Sequence, residues 1–181
     1  MSGDPAGQQL DTAIAADAGA TARDVQEIGE IVRPLLGSAG WNARIGHGSF
    51  LTIEFGASRE VGRGRDGKKL RGGEWHLWIY CSAWRVETPT AVLGACEDPR
   101  DRMTAAAAAL NGRPLLAVEL SDPSLETTFR FEGGHVLRVF PIYTSPTGDD
   151  PEHWMLYTPD HMILTVGPAS RWSYHRSDEP G

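Results

Sequence analysis

The segment EWHLWIYCSAWRVE, residues 74–87, carries the clearest β-strand pattern in the chain. Its side chains alternate between two sides, with the odd positions from Trp75 to Ala83 on one and the even positions from His76 to Trp84 on the other. Neither side looks suited to water, because aromatic and apolar residues occupy both. We therefore predict a single strand at the centre of a sheet, with a second face that is rich in aromatic rings.

Six further segments alternate in the same way or form short apolar runs between turn residues. They are residues 48–55, 114–120, 125–131, 135–143, 153–158 and 162–167. Apolar residues at helical spacing predict a helix that begins after Thr21 and ends or kinks near Pro34, and an alanine-rich segment predicts another over 97–112. The predicted fold class is α+β, with one twisted, mainly antiparallel sheet of about seven strands and two helices packed on one side.

The chain is long enough for one domain and short for two. We predict a mobile N-terminal tail over 1–20, a single α+β domain over 21–176 and a C-terminal tail over 177–181. Glycines and charged residues crowd residues 57–73, which predicts an exposed basic loop within the domain.

The formal net charge of −7 is unevenly distributed. Residues 59–71 carry a local charge of +4, which leaves −11 for the rest of the chain. An acidic body disfavours general binding of nucleic acid, because long-range repulsion opposes the attraction to phosphates. No segment has the continuous apolar length of a membrane span or the pattern of a secretion signal, so we expect a cytoplasmic protein.

No familiar catalytic, nucleotide-binding or metal-binding motif appears. The six histidines form none of the usual ligand spacings, so we predict no metal site, no cofactor and no catalytic residue. Cys81 and Cys96 are too few for a disulfide framework, and we expect two reduced thiols with Cys81 buried, although a single disulfide between them stays open.

The aromatic side of residues 74–87 has two interpretations. Trp78, Tyr80 and Trp84 either form a contact surface for a partner or are covered by the N-terminal helix or by the curl of the sheet. The polar strand residues Glu54, His76, Arg130 and Arg138 have two interpretations as well. They either contribute to the same partner site or cleft, or form ordinary cross-strand pairs, such as Glu54 with Arg130.

The basic loop has two interpretations. It is either a solvent-exposed loop between two strands, with charges that keep it soluble, or a flexible arm that contacts an anion or nucleic acid. The residues available for that contact are Arg63, Arg65, Lys68, Lys69 and Arg71. No aromatic residue lies between Arg59 and Gly73 to stack on a base, which favours the solvent-exposed loop.

Four segments carry a resemblance: GHGSFLTIEFG (46–56), GEWHLWIYCSAWRVE (73–87), LETTFRFEGGHVLRVFPIY (125–143) and HWMLYTPDHMILTVGPASRWSY (153–174). Over about residues 41–175 the chain resembles a family of small uncharacterised bacterial α+β proteins that pair a GSFLTxEFG segment with a later WMLYTPDxxxLTVGP segment. These proteins are broadly similar to immunity and defence-associated proteins, so the resemblance implies a binding or neutralising role. It transfers no functional residue. His161 stands where a turn glycine is expected.

Three functional hypotheses follow. The first is a non-catalytic, immunity-like protein-binding module that uses an acidic surface and the sheet-face aromatics to hold another protein, such as a basic toxin or a defence-complex subunit. The second is a small-molecule-binding protein or enzyme with a cleft on the sheet face. The third is a nucleic-acid accessory subunit that acts through the basic loop. The sequence leaves the oligomeric state open.

Overall fold

The computed structural model describes residues 19–63, 67–144 and 152–177. Within these ranges it has two α-helices, α1 (Ala22–Val32) and α2 (Arg100–Ala108). The strands are β1 (Trp41–Ile45), β2 (Leu51–Phe55), β3 (Arg59–Arg63), β4 (Lys69–Gly72), β5 (Trp75–Ile79), β6 (Ser82–Glu87), β7 (Val92–Ala95), β8 (Leu115–Ser121), β9 (Glu126–Phe131), β10 (His135–Pro141), β11 (Trp154–Tyr157), β12 (Met162–Val166) and β13 (Trp172–Arg176). The α+β class is confirmed. Most of the predicted N-terminal tail, residues 1–18, and residues 178–181 of the C-terminal tail lie outside the described residues.

The strands form three antiparallel sheets rather than the one seven-stranded sheet that the sequence predicts. Sheet A has the order β1-β2-β5-β11-β12-β13, and sheet B has the order β7-β6-β10-β9-β8. The third sheet, here called the ribbon, is the two-stranded β3-β4 hairpin within the predicted basic loop.

The segment 74–87 is two strands, not one, and this division creates the two large sheets. The chain leaves sheet A after Ile79 and enters sheet B at Ser82. At the crossing, the amides of Tyr80 and Cys81 donate to backbone carbonyls that precede β11, at 2.9 and 3.1 Å. The single-strand prediction is wrong because the partner that redirects the chain lies far away in sequence.

The crossing also changes which positions face inward. The buried residues are Leu77 and Ile79 in β5, but Trp84 and Val86 in β6. Trp84 therefore lies in the core, where only 2% of it is exposed, and not beside Trp78 on an outer face.

Sheets A and B pack face to face around one core. The ring of Phe55 in sheet A stacks on Phe131 in sheet B at a centroid distance of 6.4 Å. Trp154 of sheet A meets Phe129 of sheet B edge to face at 5.7 Å, and its Nε1 donates a 3.0 Å hydrogen bond to the Thr127 hydroxyl. Aromatic contacts of this kind add to the stabilisation from burial alone.

The helices cover open edges of the two-sheet structure. Helix α2 packs against β1 and β7, which are edge strands of sheets A and B. Helix α1 packs against the edge strand β8, and Trp172 of β13 donates a 2.9 Å hydrogen bond to Asp24 in α1. The prediction of two helices on one side of a single sheet is wrong, because the inner face of each sheet is already covered by the other sheet.

Helix α1 follows its local sequence signals. The Asp24 amide donates to the Thr21 hydroxyl and the Thr21 amide donates to the Asp24 carboxylate, which makes a capping box. The Thr21 hydroxyl also donates to the Asp24 carboxylate at 2.6 Å, and this bond, followed by the one from Trp172 and the one from the Thr21 amide, lowers the pKa of Asp24 to about 2. The α-helix ends at Val32, and Pro34 lies in the 3-10 turn that follows.

We expect Gly29→Ala to stabilise the protein by about 0.5–1 kcal/mol, the usual cost of a glycine inside a helix. Gly29 lies in the middle of α1, and a methyl group added there would meet no atom within 4 Å. The free energy of unfolding in urea checks this prediction. A loss of stability would contradict it.

Candidate functional site

The outer face of sheet A brings polar and aromatic side chains into register. Glu54 of β2 and Tyr157 of β11 both pair directly with His76 of β5. Trp78 lies two residues further along β5, on the same face as His76, and pairs with Thr52 of β2. The alternation predicted from the sequence thus places His76 and Trp78 on one face, although Trp84 does not join them.

Glu54 and His76 form a close polar pair at this face. The Glu54 carboxylate is only 3% exposed and lies 2.9 Å from Nδ1 of His76, while its other oxygen accepts a 2.9 Å hydrogen bond from the Gly73 amide. Burial by itself raises the pKa of this carboxyl. Hydrogen bonds from His76 and Gly73 and the charges of His76 and Arg44 outweigh burial and hold the pKa below its ordinary 4.5. Because the carboxylate is ionised, Nδ1 of His76 donates.

The ribbon and the outer face of sheet A enclose a cleft of about 460 Å³. The Gly73 amide that donates to Glu54 follows the last ribbon strand, so this bond fixes the ribbon beside the sheet. The residues that line the cleft from the sheet side are Arg44, Glu54, His76 and Tyr157, and those from the ribbon side are Arg59, Val61, Lys69, Leu70, Arg71, Gly72 and Gly73.

A line of neighbouring rings leads along the outer face to this cleft. We call it the aromatic row, and its members in spatial order are Phe50, Tyr80, Trp78, His76 and Tyr157. Successive ring centroids lie 4.4, 5.0, 6.4 and 5.7 Å apart.

The rings of the aromatic row are half-buried. Helix α1 packs against β8 and contacts Trp172, at an edge of the two-sheet structure. In the described part of the chain, the N-terminal helix therefore does not cover this face, and Trp84 is the one of the three predicted rings that the protein's own sheets bury. Trp78 and Tyr80 retain exposed surface among these residues.

Two predicted site residues, Arg130 and Arg138, lie on sheet B and do not approach the cleft. Nε of Arg130 lies 2.7 Å from the Glu119 carboxylate, and Nε of Arg138 lies 3.0 Å from Glu87. The suggested pair of Arg130 with Glu54 does not form, because the two residues belong to different sheets. These arginines form the ordinary salt bridges of a strand surface.

The basic residues predicted to contact an anion are divided between two places. Lys69 and Arg71 line the cleft, whereas Arg63 and Lys68 are exposed and lie outside its lining. Arg65 lies outside the described residues.

On the sheet A side of the site, three residues were not predicted from the sequence: Arg44, Phe50 and Tyr157. Phe50 and Glu54 are both even-numbered positions of the segment 48–55, so the alternation of that segment places them on the same side and could have identified Phe50. Arg44 and Tyr157 enter the site only through strand pairing, since β1 joins β2 and β11 joins β5. No local signal indicates those pairings.

Both cysteines are free thiols and half-buried, and burial raises the pKa of Cys81. The prediction of a buried Cys81 is wrong, because the chain crossing places it in a separate depression of about 300 Å³, which Cys96 also lines.

Among the described residues, no group of three or more potential ligands is arranged to hold a metal ion. Neither of the described helices combines the length and the apolar composition of a membrane span.

No protein-family model, curated protein or solved structure matches this chain. The resemblance based on the four sequence segments therefore stays a prediction.

The Glu54 carboxylate should make stability depend on pH. Because its pKa is lower in the folded protein than in the unfolded chain, its contribution is full above about pH 4.5 and is lost as the pH falls through the folded value. We expect the stability advantage of the wild type over Glu54→Gln to shrink between pH 6 and pH 3. Urea unfolding of both proteins across this range measures it. A difference that does not change with pH would contradict the prediction.

Proposed function

We propose that the protein is a non-catalytic protein-binding module that holds its partner on the outer face of sheet A. The observation that carries this proposal is the aromatic row, whose rings stay partly exposed on a face that no described helix covers. Tryptophan and tyrosine are the residues that most often dominate binding energy at protein interfaces. Phe50, Trp78 and Tyr80 form the centre of the proposed contact.

Charge and resemblance support the same proposal. The chain outside residues 59–71 carries −11, which favours a basic partner because opposite fields accelerate encounter and disfavour wrong partners. The resemblance to immunity and defence-associated proteins implies a binding or neutralising role, such as holding a basic toxin.

Affinity purification of the tagged full chain from its native host, at graded salt concentrations, tests the proposal. The test variant is the double substitution Trp78→Ala and Tyr80→Ala, and the matched control is Arg130→Gln on sheet B. We expect the wild type and the control to retain one protein at a stoichiometric amount. We expect the double variant to bind that protein at least about 30-fold more weakly, the effect of losing one strong interface residue.

Circular dichroism and urea unfolding of each variant establish that it is folded. A chain that purifies alone at every salt concentration would overturn the proposal. Equal retention by the double variant and the control would also overturn it.

A second candidate function is general acid–base chemistry in the cleft, favoured by the Glu54–His76 pair. A buried carboxylate that accepts from Nδ1 fixes the ring orientation and leaves Nε2 of the imidazole as the atom that can take up or release a proton. Arg44 lines the same cleft and supplies a positive charge.

Turnover of bis(4-nitrophenyl) phosphate and 4-nitrophenyl acetate provides the test. Under this candidate, His76→Gln should lower the rate by about 10²-fold or more, the usual contribution of a positioned base. Equal rates for the wild type and the variant would dismiss it.

A further inference from the structure

The cleft beneath the ribbon has an excess of positive charge. Its lining includes four cationic side chains, and Glu54 is the one carboxylate among these residues. Both Glu54 oxygens already accept hydrogen bonds, from His76 and from the Gly73 amide. The carboxylate therefore serves to hold His76 and the ribbon in place, and the other charged side chains that line the cleft are positive.

Arg44 is the cation best placed to receive a ligand. It belongs to the edge strand β1 and lines the cleft, and its charge acts on Glu54 through space. Within the described ranges its guanidinium makes no hydrogen bond or ion pair. A guanidinium matches the geometry of a carboxylate or phosphate with two parallel hydrogen bonds, so an anion is the group that Arg44 binds best.

The cations of the ribbon have local partners that hold them in place. Nζ of Lys69 lies 2.7 Å from the Glu60 carboxylate. Nε of Arg71 donates to the Ser58 hydroxyl at 2.9 Å, and Nε of Arg59 donates to a backbone carbonyl at 3.2 Å. The partners of Arg59 and Arg71 are neutral, so both arginines are positioned without being neutralised.

The cleft also offers apolar surface to a ligand. Val61 and Leu70 line it from the ribbon and are 56% and 50% exposed. The half-buried ring of Tyr157 lines it from the sheet. The volume of about 460 Å³ lies within the range of roughly 300–1,000 Å³ that small-ligand sites occupy.

We infer that this cleft binds a small amphipathic organic anion, a carboxylate or phosphate joined to an aromatic or branched aliphatic group. Arg44 binds the anion, and Val61, Leu70 and Tyr157 contact the apolar part. The site is distinct from the centre of the proposed protein contact at Phe50, Trp78 and Tyr80, and the inference goes beyond the protein-binding proposal without depending on it.

Titrations of the purified full chain with four probes, followed by calorimetry and by amide NMR shifts, test the inference. Phenylacetate and phenyl phosphate carry both features, phenylacetamide lacks the charge, and inorganic phosphate lacks the ring. We expect the two phenyl anions to bind with amide shifts at Gly73 and His76. We expect phenylacetamide and inorganic phosphate to bind at least about tenfold more weakly, because each loses one of the two kinds of contact.

Substitutions identify the residues responsible. Arg44→Gln should weaken the binding of both phenyl anions at least about tenfold, whereas Arg130→Gln, which removes the same charge from sheet B, should leave it unchanged. Unfolding in urea establishes that both variants are folded. Leu70→Ser, on the exposed ribbon, should weaken the binding of phenylacetate but leave the binding of inorganic phosphate unchanged.

Four results would overturn the inference: no binding of either phenyl anion, equal binding of phenylacetamide, equal binding of inorganic phosphate, or equal weakening by Arg44→Gln and Arg130→Gln. None of these measurements uses the protein partner. Failure of the ligand site and failure of the protein-binding proposal are therefore separate results.

Discussion

Trp154→Ala should lower the free energy of unfolding by about 3–5 kcal/mol, the usual cost of deleting a large aromatic side chain from a core. Trp154 is 1% exposed and lies between the sheets. Its ring meets Phe129 of sheet B, and its indole nitrogen donates to the Thr127 hydroxyl. The substitution therefore opens a cavity and removes a hydrogen bond between sheets A and B.

Urea unfolding at neutral pH measures the effect, with Trp78→Ala as the matched control. Trp78 is a tryptophan of the same sheet, but it lies on the outer face and keeps exposed surface. We expect its removal to cost less than about half as much, because solvent fills the space that the ring leaves. Equal losses for the two variants would show that the packing between the sheets is not what Trp154 stabilises.

Gly73→Ala should lower stability by about 2–3 kcal/mol and displace the ribbon, because the added methyl group would collide with backbone rather than with a movable side chain. The nearest atom is the Phe55 carbonyl oxygen, and the Phe55 nitrogen and the Trp75 carbonyl oxygen each lie 2.8 Å away. The backbone at Gly73 must move to relieve these contacts. That movement breaks the bond from its amide to Glu54, which fixes the ribbon beside the sheet.

The measurements are urea unfolding and amide NMR shifts over β3 and β4. Gly29→Ala is the control, because a methyl group meets open space there and the expected change has the opposite sign. We expect the Gly73→Ala shifts to extend through the ribbon to His76 and Glu54. A fully stable variant with an unchanged ribbon would contradict this account of how the cleft is formed.

Part of the candidate site was predictable from alternation within single segments. Period two placed His76, Trp78 and Tyr80 on one side, and the structure brings Glu54 to His76 through strand pairing. The same rule failed at Trp84, because the chain crosses between the sheets at Tyr80. The odd-numbered positions face the core before the crossing, and the even-numbered positions face it afterwards.

The positions of the arginines followed no local pattern. Arg130 and Arg138 look like site residues because they are charged and lie within strands, yet their strands belong to sheet B. Arg44 looks unremarkable in the sequence, yet β1 pairs with β2 and brings it to the cleft. Which strands become neighbours depends on contacts between distant segments, and a window of a few residues does not contain them.

Local sequence defines an element where all the interacting groups lie within a few residues of one another. The capping box of Thr21 and Asp24 began α1, and Gly133 and Gly134 supplied the positive φ angles of the turn between β9 and β10. His161, where a turn glycine was expected, adopts a glycine-like φ of 61° between β11 and β12.

The number of sheets, the burial of Trp84 and the cleft beneath the ribbon came from tertiary contacts instead. Each depends on hydrogen bonds or ring contacts between segments that fold together from distant parts of the chain, such as β5 with β11 and Glu54 with Gly73. Local propensity defines a strand and its two sides. The partner that covers one side defines which of them becomes the interior and which is left to bind another molecule.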